Sequence, residues 1–78
     1  MKPQLFVYQH PAGFSPELLK AVRKQLTRWS DSKPQVDSLN IERTSIVMTT
    51  LCDTKTHNKT CRLLCSIADK FVLPTLTL

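Results

Sequence analysis

Cys52, His57, Cys61 and Cys65 fall within fourteen residues, spaced C-x4-H-x3-C-x3-C. They include all three cysteines of the chain and one of its two histidines. Thiolate sulfur and imidazole nitrogen are the ligands that zinc selects. A Cys–His pair is also the core of a thiol nucleophile. Spacing limits both. Thr54 to Leu73 has a helical pattern, and on a helix His57, Cys61 and Cys65 stand at i, i+4 and i+8, drifting only about 40° per step. They share a face, but the series rises about 12 Å, whereas a zinc ligand sits roughly 2.0–2.3 Å from its ion. One ion therefore reaches an adjacent pair, either His57 with Cys61 or Cys61 with Cys65. Cys52, ahead of the helix, adds a third ligand at most, and a closed structural site takes four. The C-x2-C knuckle that marks strong zinc sites is missing. Cys52, His57 and Cys61 are the metal candidates of a weak set, and the expectation is a protein with no metal and no cofactor.

Packing accounts for more of this segment. Cys61, Leu64, Cys65, Ala68, Phe71 and Val72 recur at i, i+3, i+4, i+7, i+10 and i+11, so both cysteines lie on an apolar stripe. Free cysteine packs as a small hydrophobe, and both thiols are expected in the core. His57, near the helix start, is expected to be a partly exposed polar residue. A Cys61–His57 nucleophile would need an orienting third group and an oxyanion-holding turn, and the neighbouring residues offer neither. The six acidic residues form no paired-carboxylate constellation, and the lone glycine, Gly13, excludes glycine-rich phosphate cradles. The expectation is a non-enzyme.

The elements that must position these residues come next. Seventy-eight residues make one domain, 1–78. An odd number of cysteines, and no apolar leader in Met1-Lys2-Pro3-Gln4, argue for a reducing intracellular compartment such as the cytoplasm. No apolar run reaches the ~20 residues of a membrane span. The net charge of +5 favours an acidic partner, either nucleic acid or an acidic protein surface, with anionic lipid ranking below both.

Gln4 to Gln9 is β-branched and aromatic and reads as a strand. Its four consecutive apolar residues suggest a strand covered on both faces, or a central one. Ser15-Pro16-Glu17 starts a helix, with serine as N-cap and proline at the first helical position. This helix runs to about Trp29. Leu18, Val22, Leu26 and Trp29, with Leu19 beside them, form its apolar stripe, and Lys20, Arg23, Lys24 and Arg28 its basic outer face. Val36 to Glu42 alternates loosely, and Ser45 to Leu51 alternates well. They form either a hairpin turning at Arg43-Thr44 or one long bent strand, since the Asn-Gly or Asp-Gly of a type I′ turn is missing. Asp53 or Thr54 caps the second helix, and Pro74 stops it. Thr75 to Leu78 alternates and is either a last strand or a frayed end.

The order β-α-β-β-α, with or without a final β, predicts an α/β (α+β) two-layer sandwich, with both helices on one sheet face. With the last strand it matches the ferredoxin-like split βαβ. Leu5-Phe6-Val7, a loop, then Phe14-Ser15-Pro16-Glu17-Leu18 resembles the opening of an RNA-recognition motif, over about residues 5–26. In that family strand-borne aromatics stack bases, which implies Phe6 and Tyr8 as stacking candidates. Thr44 to Leu51 lacks the glycine and aromatics of the family's second signature. Without the last strand, the order also resembles the small damage-inducible inhibitors of recombinase filaments, the DinI family. Those are acidic at the last helix, where this chain carries Lys59, Arg62 and Lys70.

Two functions from different classes are expected. One is a regulatory module that contacts nucleic-acid phosphates through Lys20, Arg23, Lys24 and Arg28, helped by Lys55, Lys59 and Arg62. The other is a protein-binding inhibitor or adaptor that uses the open sheet face or an edge strand. That same face would serve a homodimer.

Overall fold

A computed structural model describes residues 2–72, so the strand expected at residues 75–78 lies outside the described chain. The elements are β1 Gln4–Gln9, α1 Pro16–Asp31, β2 Val36–Ile41, β3 Ser45–Thr50 and α2 Thr54–Asp69. The strands form one antiparallel sheet in the order β1-β3-β2. Strand alternation sends Phe6, Tyr8, Leu39, Ile41, Ile46 and Met48 towards the helices, where they join Val22, Leu26, Leu64 and Ala68 in one core. Both helices therefore lie on the same side of the sheet, and the expected two-layer α/β sandwich is what forms.

Position in the sheet corrects the reading of β1. Among the described residues it is an edge strand, and β3 is the central one. Leu5 and Val7 are 63% and 39% exposed on the face away from the helices. An unbroken apolar run implies two covered faces only where a layer lies on each side of the sheet, and both helices here lie on one side.

Residues 36–51 form a hairpin. Ile41 pairs with Ile46, and the Glu42 N–H donates to the Ser45 carbonyl (2.8 Å) across Arg43-Thr44. No described non-glycine residue has positive φ, so this turn forms without the Asn-Gly chemistry that type I′ demands. The loose alternation of β2 has a local cause. The register shifts between Val36 and Ser38, which leaves Asp37 as an extra residue and a bulge.

The β1–α1 loop is sewn onto this turn. His10 N–H donates to Thr44 and Phe14 N–H to Arg43, each at 2.8 Å. These bonds hold Phe14, 2% exposed, in the core beside the His10 ring. Gly13 makes the loop feasible. Its φ is +79°, and a β-carbon there would meet the Arg43 Nε at 2.9 Å.

Ser15 caps α1 by accepting from Leu18 N–H (3.2 Å), and Asp53 caps α2 by accepting from Thr56 N–H (3.1 Å). The Thr56 bonds hold the Asp53 carboxyl below the usual carboxylate range. The first helix runs two residues beyond Trp29. The second stops at Asp69, before the expected Leu73. Lys70, Phe71 and Val72 donate to carbonyls three residues back, so the last turn tightens ahead of Pro74.

Candidate nucleic-acid interface

The cysteine–histidine segment forms a buried polar thread. His57 Nδ1 lies 2.7 Å from Thr50 Oγ1, and His57 Nε2 lies 3.4 Å from Cys61 Sγ. Either imidazole tautomer satisfies both contacts, donating at one nitrogen and accepting at the other. His57 is therefore buried, not partly exposed as its place near the helix end suggested. The first turn of α2 is pressed against the end of β3 by the short link through Asp53, which aims His57 inwards at Thr50.

Thr50 supplies the orienting group that the sequence did not reveal, but the other needs of a nucleophile are unmet. Cys61 is 8% exposed. Burial pushes its thiol pKa up, and Cys65 and Cys52 push it further. Burial also raises the Cys65 thiol, with Asp69 adding to it. A thiol held protonated in the core is a packing group. Cys61 is in the core as expected, whereas Cys65 and Cys52 are half-buried; all three are free thiols. Among the described residues no three His, Cys, Asp or Glu side chains converge to hold a metal ion. No buried side-chain nitrogen or oxygen there lacks a hydrogen-bond partner.

Charge, in contrast, is sorted by layer. Between Glu17 and Asp31 every charged side chain of α1 is cationic: Lys20, Arg23, Lys24 and Arg28, all exposed. Between Asp53 and Asp69 the same holds for α2, with exposed Lys55, Lys59 and Arg62. The acids of the helices sit at their ends, where Asp53 is engaged as a cap and Asp69 accepts from the Tyr8 hydroxyl at 2.6 Å, and the other two acids, Asp37 and Glu42, are exposed in β2 and the turn after it. The outward face of the sheet carries Leu5, Val7, Gln9, Ser38, Asn40, Ser45, Val47 and Thr49, with no charge among them. Ser38 and Thr49 hydrogen-bond to each other across it.

The cations differ in freedom. Lys20, Lys24 and Arg28 recur every four residues and follow one stripe. Arg23 turns towards the sheet and donates from Nε (3.3 Å) and Nη2 (3.2 Å) to the Ile41 carbonyl, so it ties α1 to the end of β2. Lys55, Lys59 and Arg62 surround a shallow depression of about 400 Å³ with Asn58. Lys24 and Arg28 line a larger groove between the helices, about 660 Å³ in volume, with Trp29, Ile67 and Phe71 as its apolar lining. The apolar stripes of both helices pointed to core positions, and nothing in their spacing showed that Trp29 and Phe71 would stop short of full burial.

The two stacking candidates are placed elsewhere. Phe6 and Tyr8 face the helices, packed against the core, while Leu5 and Val7 take the open face. Their even positions share the register of Ile46 and Met48, which fixes this choice. The Tyr8 hydroxyl is committed to Asp69, and burial together with that carboxylate raises its pKa above the ordinary tyrosine value. Neither ring can stack bases on the outer sheet surface.

No family model, curated protein or solved structure matches the chain. Among the described residues no helix is long and apolar enough to cross a membrane.

Proposed function

We propose that this protein is a small, non-enzymatic module that binds nucleic acid through the exposed face of α1, with Lys55, Lys59 and Arg62 of α2 extending the contact. One observation carries this reading: the middle of both helices is purely cationic, while the outward sheet positions paired in the ladder are uncharged and the exposed acids Asp37 and Glu42 lie on β2 and the turn after it. A net +5 spread evenly would need no partner, whereas a one-sided cationic layer releases counterions when it meets a polyanion. The partner is a phosphate backbone, read by charge rather than by base edges. The test is a salt titration against single- and double-stranded DNA and RNA. Lys20→Gln should lower the slope of log K against log salt by about 1. Absence of binding to all four polymers at low salt would remove the proposal.

A second reading has its own support. The β1 edge and its outward Leu5 and Val7 suit strand addition by a partner protein, in the manner of an inhibitor or adaptor, or pairing in a homodimer. A partner recovered from lysate after nuclease treatment and at high salt, and lost in Val7→Lys, would favour it.

The finer fold assignment belongs with these proposals. Since β1 and β2 are each antiparallel to β3, they run parallel to one another with β3 between them. That arrangement supports the split βαβ of ferredoxin-like sheets.

A further inference from the structure

We propose that the groove between α1 and α2 accepts an unpaired base of a single-stranded nucleic acid, stacked on Trp29, with the flanking phosphates on Lys24 and Arg28. This rests on the nucleic-acid reading above and adds the class of strand to it.

Three observations combine. Trp29 is only partly buried, and it lines the groove opposite Ile67 and Phe71. Two cations, Lys24 and Arg28, and no acid lie in the same lining, so an anion is the complementary guest. Gln25 and Ser32 add polar side chains at the same rim. The volume of about 660 Å³ falls among sites that hold ligands of nucleotide size, roughly 300–1,000 Å³.

An aromatic platform flanked by cations is how proteins hold single strands with little regard to sequence, because every base offers a π face. Helices pack roughly 8–10 Å apart. An intact duplex, whose bases are stacked and paired, cannot present a base edge-on to such a cleft. An acidic peptide satisfies the cations but gives the indole no flat partner.

Trp29 is the sole tryptophan of the chain and reports on the groove directly. The 78-residue protein is titrated with a dye-labelled oligothymidylate, a duplex of equal length and polyglutamate. Dye anisotropy reports binding of the two nucleic acids, and Trp29 emission reports occupation of the groove by any of the three. Quenching that saturates with the single strand, and stays small with the duplex and with polyglutamate, is expected. Trp29→Leu, checked for folding by circular dichroism, should weaken single-strand binding roughly five- to 150-fold. Lys24→Gln/Arg28→Gln should weaken it while leaving the indole in place.

Single-strand binding with unchanged Trp29 emission would overturn the inference and leave the electrostatic reading intact. Equal quenching by duplex or by polyglutamate would overturn it as well. Failure of every nucleic acid to bind at low salt would remove both.

Discussion

Thr50→Val tests whether the buried thread of Thr50, His57 and Cys61 is structural. The substitution keeps the branched shape and removes one hydroxyl. Thr50 is fully buried, and its Oγ1 meets His57 Nδ1 at 2.7 Å. His57 is itself only 8% exposed, so water does not replace the lost partner. An orphaned buried polar group costs about 1–3 kcal/mol. In a domain of this size each kcal/mol lowers the melting midpoint by about 4–8 °C. His57→Leu alone should cost a comparable amount, since it strands Thr50 and Cys61. Replacing both partners by apolar groups is far less damaging than the sum of the single changes. The double variant should therefore show a coupling of at least about 1 kcal/mol. Urea unfolding followed by circular dichroism measures all four corners of the cycle. If Thr50→Val unfolds at the wild-type midpoint, or if the two changes add, His57 is not held as described.

Alkaline stability is expected to fall in two stages. Tyr8, Cys61 and Cys65 all have raised pKa values in the fold, so the native state holds their protons more tightly than the unfolded chain. Their contribution is complete below the unfolded values and is lost as pH climbs past about 8.5 for the thiols and about 10 for the phenol. Tyr8→Phe should remove the upper stage only, at a cost near neutrality of about 1–2 kcal/mol for the hydrogen bond to Asp69; an unchanged urea midpoint up to about pH 11 would contradict this assignment. Gly13→Ala should destabilise by about 1–2 kcal/mol because a β-carbon is strained at positive φ, a loss that equilibrium unfolding would reveal and that Arg43→Ala should relieve only in part. Cys61 should react with a neutral thiol reagent far more slowly in the folded protein than in urea, and equal rates would show that it is not packed in the core.

Much of this architecture is written in short local signals. Ser15-Pro16-Glu17 and Asp53 mark helix starts because a cap is a bond between neighbours in sequence. The Ser45–Thr50 alternation marks a strand with one buried face. Sheet order is not local: β1 carries four consecutive apolar residues and β3 only three, yet the pairing makes β3 central. The fate of His57 depends on Thr50, seven residues away, through a link too short to let α2 turn elsewhere. The burial of Phe14 is not local either, because the bonds that hold its loop come from Arg43 and Thr44. The candidate cations were legible from helical spacing, but the diversion of Arg23 to the Ile41 carbonyl was not. The groove was hidden for a related reason. Trp29 and Phe71 occupy core-facing positions in sequence, and only the separation of the helices shows how much of them remains open.

Gly13 is the only glycine, and it occupies the one described position with positive φ. Every other described residue adopts backbone angles open to ordinary side chains. Tolerance to substitution should then follow surroundings rather than backbone shape, apart from the handful of prolines and caps. A saturation mutagenesis profile of this protein would read as a map of depth below the surface. It would carry one extra peak in the β1–α1 loop, where Gly13, of middling exposure, loses stability on replacement because of its backbone.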